Sequence, residues 1–256
     1  MKVVPIPNGA FLENCYLVLD EAARECAIVD PGEEAGLILQ KVAAAGARPV
    51  AVWLTHAHLD HVLGVARVAA ATGGGVPVYL HPADRPLYEH VPEQAAAFGM
   101  RAAPLPALSP DCAFAHGGAV RVGGLSFAVR HTPGHSPGSV CLVGHGVVFV
   151  GDVLFQGSIG RTDLPGGDVD TLLASIERSC LSSPIPPSST AAMDPRPPSA
   201  LSAAATPFSP ASSAPPSTTS LPTCLRCGAE VRPAPLGCKD PCRNCGFLYP
   251  LGDCSD

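Results

Sequence analysis

Over the first 180 residues the apolar positions fall into two recurring patterns. Residues 15–20 (CYLVLD), 26–30 (CAIVD) and 50–55 (VAVWLT) are continuous apolar runs of strand length, each closing on a polar residue. Residues 76–80, 125–130, 139–143 and 147–150 are further apolar-rich stretches of strand length and predict further strands. Between them, residues 33–45 and 60–72 place apolar side chains at helical spacing. Gly46 stops the first of these helices, and Gly73, Gly74 and Gly75 stop the second. Residues 169–178 predict one more helix. Strands alternating with helices predict an α/β fold in which helices layer against sheet. No internal repeat is visible in the chain.

Composition then divides the 256 residues into three parts. Residues 1–180 mix apolar runs and turns as one globular domain does. Residues 181–223 are nearly all Pro, Ser, Ala and Thr, with Asp194 and Arg196 the only charges. Such a stretch holds too few large apolar groups to offset its ordering entropy, so a disordered linker is predicted. Residues 224–256 form a small Cys-rich module. The formal charge of −6 argues against a nucleic-acid partner, which needs a basic face. No apolar stretch approaches the ~18–20 residues that span a bilayer, and Pro5 and Pro7 break the start before any signal-peptide core. A cytoplasmic protein with no membrane partner is expected. Cys15, Cys26 and Cys141 lie inside apolar runs, the setting of small buried thiols rather than of a disulfide framework.

The chemistry concentrates at strand ends. Directly after VAVWLT comes Thr55-His56-Ala57-His58-Leu59-Asp60-His61. In an extended turn residues two apart point the same way, so His56 and His58 can converge on one ion. Asp60 and His61, at the following helix start, face a neighbouring point. Imidazole nitrogen and carboxylate oxygen suit zinc, and also iron or manganese. A second polar island, His131-Thr132-Pro133-Gly134-His135-Ser136-Pro137-Gly138, separates two strands, and Asp152 follows the strand GVVFV. All three clusters can open onto one sheet edge. His81, His90 and His116 have no convergent partners in the sequence and are expected to be polar surface or loop residues.

The series HxHxDH, TPGHSPGS and a strand ending in Gly-Asp resembles the metallo-β-lactamase-fold hydrolases over residues 1–180. Residues 157–168 (GSIGRTDLPGGD) are similar to the glyoxalase II-like bacterial subgroup. The resemblance implies an αββα sandwich whose loops hold one or two metals at one edge. It implies that His56, His58 and His135 hold the first metal, that Asp60 and His61 hold the second, and that Asp152 bridges both. The implied activity is hydrolysis of an S-acyl-glutathione-like thioester by a metal-activated hydroxide, with Asp60 and Asp152 taking part in catalysis. Zinc is the expected metal, with iron or manganese as alternatives, and the partner is a small-molecule thioester. A thiolate with a free-thiol pKa around 8.5 leaves with little acid assistance. Arg161 and Asp163 are expected either to touch substrate or to form an ordinary ion pair.

The chain also departs from the family's pattern. The family's last metal-ligand His follows the helix corresponding to residues 169–178, whereas His145 is the last histidine here. The last strand and helix are therefore expected to be missing. A change of reading frame and genuine divergence both produce such a transition. Persulfide dioxygenases are similar through the same motifs and use a single iron; their ligands map to His56, His135 and Asp152. An impaired domain carrying an interaction module is the third reading. In residues 224–256, Cys224-x-x-Cys227 and Cys242-x-x-Cys245, each followed by Gly and separated by a gap slightly shorter than usual, suggest a structural zinc ribbon, whose protein partner the sequence leaves unknown.

Overall fold

The computed structural model describes residues 1–155, 158–181, 239–241 and 248–250. The chain divides into two compact units, Met1–Ala204 and Ala205–Asp256. In the first unit, β1 (Lys2–Asn8), β2 (Glu13–Asp20), β3 (Glu25–Val29), β4 (Arg48–Trp53) and β5 (Val78–Tyr79) form one sheet in that order. The first two pairings are antiparallel, and those of β3 with β4 and β4 with β5 are parallel. A parallel neighbour requires a crossover, and α1 (Ala35–Ala45) supplies it between β3 and β4. Its predicted terminus holds: Gly46 is left-handed, and its N–H returns to the Ala43 carbonyl.

The second sheet is an antiparallel meander of β6 (Ala119–Val122), β7 (Leu125–His131), β8 (Val140–Gly144) and β9 (Val147–Phe149). Alternation along each strand sends side chains to opposite faces, which explains the layering. Tyr16, Val18, Ala27, Val29 and Trp53 meet Val122, Phe127, Val129 and Phe149 between the two sheets. The opposite-facing Cys15, Leu17, Ile28 and Val52 pack under Ile38 and Val42 of α1. On the outside of the second sheet, Cys141 and Val148 pack against Leu172 and Ile176 of α6 (Val169–Ile176). The result is the predicted helix–sheet–sheet–helix sandwich. Strands buried on both faces read as unbroken apolar runs, which is why they were visible in sequence. Cys15, Cys26 and Cys141 are buried thiols outside any disulfide, as expected.

Several elements differ from the sequence expectation. The helix predicted over 60–72 is two pieces, α2 (Leu59–Val62) and α3 (Val65–Ala71). Gly64 lies between them because the chain passes there against the β3–α1 connection. A Cβ on Gly64 would come 2.3 Å from the Gly32 carbonyl oxygen. The Pro-broken N-terminus is strand β1, tolerated because it is the sheet edge, where a missing N–H costs no ladder bond. Between β5 and β6 the chain forms α4 (Arg85–Glu89) and α5 (Val91–Ala97), which apolar spacing did not announce. A short hairpin of β10 (Leu154–Phe155) and β11 (Ser158–Ile159) precedes α6. After α6 the chain continues as a π turn over Glu177–Leu181.

In the second unit, β12 (Lys239–Pro241) pairs antiparallel with β13 (Leu248–Pro250). Cys224, Cys227, Cys242 and Cys245, the linker from 182 onward and the expected loss of a last strand and helix all lie outside the described residues. Among the described residues, no helix is long and apolar enough to cross a membrane.

Candidate metal centre

Residues 55–58 follow β4 without regular structure, and β7, β8 and β9 deliver the other two polar segments to the same edge. His56, His58 and His135 are all buried there. His58 Nδ1 lies 2.8 Å from His135 Nε2, which in turn lies 3.2 Å from His56 Nε2.

The outer partners of these rings assign their protons. The Asp30 carboxylate accepts the Thr55 hydroxyl proton at 2.7 Å. Thr55 Oγ1 is then left to accept from His56 Nδ1 at 3.1 Å. His135 Nδ1 donates to the Arg161 carbonyl at 2.7 Å. The Nε2 atoms of His56 and His135 are thereby left with lone pairs facing each other. That contact is repulsive between neutral rings and favourable around a cation, for which tetrahedral nitrogens stand about 3.3 Å apart. Burial depresses the pKa of His56, helped by His61, His135 and His58. Burial with His135 and His61 lowers His58 to about 3. The neutral ring is the form that binds a metal.

A second group lies beside the first. His56, His61 and Asp152 bring ligand atoms within 4.8 Å of one another. His61 Nε2 stands 3.2 Å from Asp152 Oδ1 and 3.7 Å from Asp60 Oδ2, while its Nδ1 stands 3.1 Å from Asp30 Oδ2. Neither ring nitrogen of His61 is aligned for a hydrogen bond. Asp152 Oδ2 lies 3.7 Å from His135 Nε2, so its two oxygens face the two groups. Burial alone would raise the Asp152 pKa, but His61 and His135 outweigh it and hold the carboxyl below its usual value. The donor set fits one or two cations; all five of His56, His58, His61, His135 and Asp152 form this metal-binding site.

Other sequence expectations divide. Arg161 and Asp163 form an exposed bidentate ion pair, with both contacts at 2.7 Å. The part of Arg161 that touches the centre is its carbonyl. His81 does have a partner, contrary to expectation: its ring stacks on His131 at 3.9 Å, and His116 Nδ1 accepts the His131 N–H at 3.2 Å. These contacts join segments far apart in sequence, so local pattern could not reveal them.

Sequence reading missed Asp30, Asp84, Gln94 and Glu13. Asp30, at a strand end followed by Pro-Gly, carried the same mark as Asp152; the other three had none. Glu13 is buried with neither carboxyl oxygen partnered. Burial, with Asp30, Asp60 and Asp152 adding to it and His61 opposing, pushes its pKa from 4.5 to about 9. The folded protein thus holds a proton that the unfolded chain releases, and the group costs stability progressively as pH rises between those values. In the metal-free protein Glu13→Gln should therefore melt about 4 °C or more above the wild type at pH 8 and close to it at pH 5. A difference that is absent, or shrinks as pH rises, contradicts a buried protonated acid at this position.

The metallo-beta-lactamase superfamily model matches residues 8–184. The chain is 40% identical over 185 residues to hydroxyacylglutathione hydrolase GloC of Haemophilus influenzae, covering 71% of this chain and 85% of that one. It is 36% identical over 186 residues to the probable metallo-hydrolase YqgX of Bacillus subtilis, covering 72% of this chain and 86% of that one. Among solved structures it is similar to TTHA1623 in a di-iron-bound form, with TM-score 0.62 and 41% identity over 71% of this chain and 87% of that one.

Proposed function

Because the chain belongs to the metallo-beta-lactamase superfamily and is a metallo-hydrolase of that kind, we propose that its substrate is a thioester of the S-acyl-glutathione class. The observation that carries this reading is the meeting of His56, His58 and His135 nitrogens beside a carboxylate, Asp152, that faces both groups of ligands. The name of the Haemophilus influenzae relative supports the thioester class.

A divalent cation at such a site supplies Lewis acidity and brings the pKa of water toward about 7. His56, His58 and His135 would hold it, and His61, Asp60 and Asp152 would hold a second. Asp152, kept ionised by its imidazole neighbours, accepts a hydrogen bond from the attacking water and aligns it with the thioester carbonyl. Asp60, whose Oδ2 approaches the same His61 Nε2 as Asp152 does, can take up the proton released. The thiolate leaves without a dedicated acid. Arg161 and Asp163 lie at the exposed side of His135, where the acyl or glutathionyl part of the substrate would pass.

The test is direct. Zinc- or iron-loaded protein should hydrolyse S-lactoylglutathione with a kcat of about 1 s⁻¹ or more; absence of turnover with metal measured in the same sample contradicts the proposal. The adjacency of His56 Nε2, His135 Nε2 and Asp152 Oδ2 also favours a second reading, a single-iron persulfide dioxygenase. Oxygen consumption with glutathione persulfide, in the absence of thioester hydrolysis, would replace the first reading by the second.

A further inference from the structure

The backbone that carries the metal ligands has few partners of its own. Residues 56–58 lie between β4 and α2, and residues 132–138 lie between β7 and β8. Buried peptide groups there must still be satisfied, because an unpaired one costs about as much as a lost hydrogen bond. The segment between β5 and β6 supplies that need with side chains. Ala57, between the two ligand histidines, gives its N–H to Asp84 Oδ2 at 3.0 Å. Its carbonyl accepts from Gln94 Nε2 at 3.2 Å, while Gln94 Oε1 accepts the Leu59 N–H at 3.1 Å. The same Asp84 Oδ2 accepts the Ser136 hydroxyl at 2.7 Å, and Oδ1 accepts the Gly138 N–H at 2.5 Å. Asp84 is fully buried, and it touches both metal-binding loops at once.

We infer that Asp84 is a positioning residue that fixes the distance between the His56–His58 loop and the His135 loop, and so sets the affinity and geometry of the three-histidine metal group. The inference rests on the reading of those histidines as metal ligands. Three donors converge on one carboxylate from two loops: two on one oxygen, one on the other. Only an ionised Asp offers acceptors on both sides at this length. An amide of the same shape must turn its NH2 either to the Gly138 N–H or to the Ala57 and Ser136 donors, and one loop is then pushed away. Gln94 secures only the first loop, so its role is the lesser one.

The experiment compares wild type, Asp84→Asn, Gln94→Ala and Ser136→Ala as full-length chains. Zinc affinity is read by competition with a chromophoric chelator, coordination geometry by the visible spectrum of the cobalt-substituted protein, and folding by the melting temperature of the metal-free form. Asp84→Asn should weaken zinc binding about ten- to a hundredfold and shift the cobalt bands. Ser136→Ala, which removes one donor and keeps the carboxylate, and Gln94→Ala should each lose less. A purely structural role would lower the metal-free melting temperature and leave affinity and spectrum unchanged, and that result overturns the inference. Should Asp84→Asn fail to fold, Ser136→Ala decides: weaker zinc binding with a shifted spectrum supports the brace, and unchanged values overturn it. A wild-type chain that takes up neither zinc nor cobalt refutes the metal centre itself, which is a distinct outcome.

Discussion

Replacing His135 by alanine is expected to lower kcat/KM for a thioester by at least about a thousandfold and to remove the metal from the three-histidine group. His135 stands between the clusters: its Nε2 approaches His58 and His56 at 2.8 and 3.2 Å and Asp152 at 3.7 Å. Its Nδ1 is fixed by the Arg161 carbonyl. Alanine removes one ligand from the first group and takes from the Arg161 carbonyl the His135 donor. It also takes away an imidazole that holds Asp152 ionised. No neighbouring side chain can replace it, since His131, four residues earlier, is committed to the Pro137 carbonyl at 2.8 Å. The check is metal content and turnover measured on the same preparation. His90→Ala, whose ring bonds only within its own helical turn, serves as the control and should match the wild type.

A second large effect is expected at a residue with no side chain. A Cβ on Gly160 would come 1.7 Å from the Asp152 carbonyl oxygen and 3.1 Å from His135 Nδ1. Neither neighbour can yield without moving a metal-binding group. Gly160→Ala should therefore destabilise the protein by about 2 kcal/mol or more through overpacking, and weaken metal binding with it. Gly75 has open space around the corresponding position, so Gly75→Ala should change stability by no more than about 0.5 kcal/mol. Chemical denaturation of the two variants with and without zinc tests both statements. Equal stability of the two would mean that the β10–β11 hairpin does not hold this close approach.

The contrast between these glycines and the histidines shows what the sequence could reveal. His56, His58, His61, His135 and Asp152 were legible because polar groups that are costly to bury follow directly on apolar strands. Strand ends in a layered fold collect at one edge, so local pattern and tertiary placement agree there. The two faces of β2, β3 and β4 were legible for the same reason. By contrast, Asp84 and Gln94 lie in a stretch whose apolar spacing marks no element, and their importance arises from partners 27 to 54 residues away. The break between α2 and α3 depends on Gly64 meeting the chain at Pro31 and Gly32, again a long-range contact. Glu13 lies outside the apolar run at 15–20 and carries no mark in the sequence; only the fold surrounds it with other acids. Residues whose role is set by distant backbone cannot be recognised from period or spacing.

If imidazoles from two separate loops hold one cation, loss of one of them must release it. Metal analysis of wild type, His58→Ala and His116→Ala, each equilibrated with zinc and freed of excess, addresses this most directly. His116 is exposed, and its Nδ1 accepts the His131 N–H. At least one tightly held zinc per wild-type chain is expected, retained in His116→Ala and largely lost in His58→Ala. Equal retention in the two variants would contradict it.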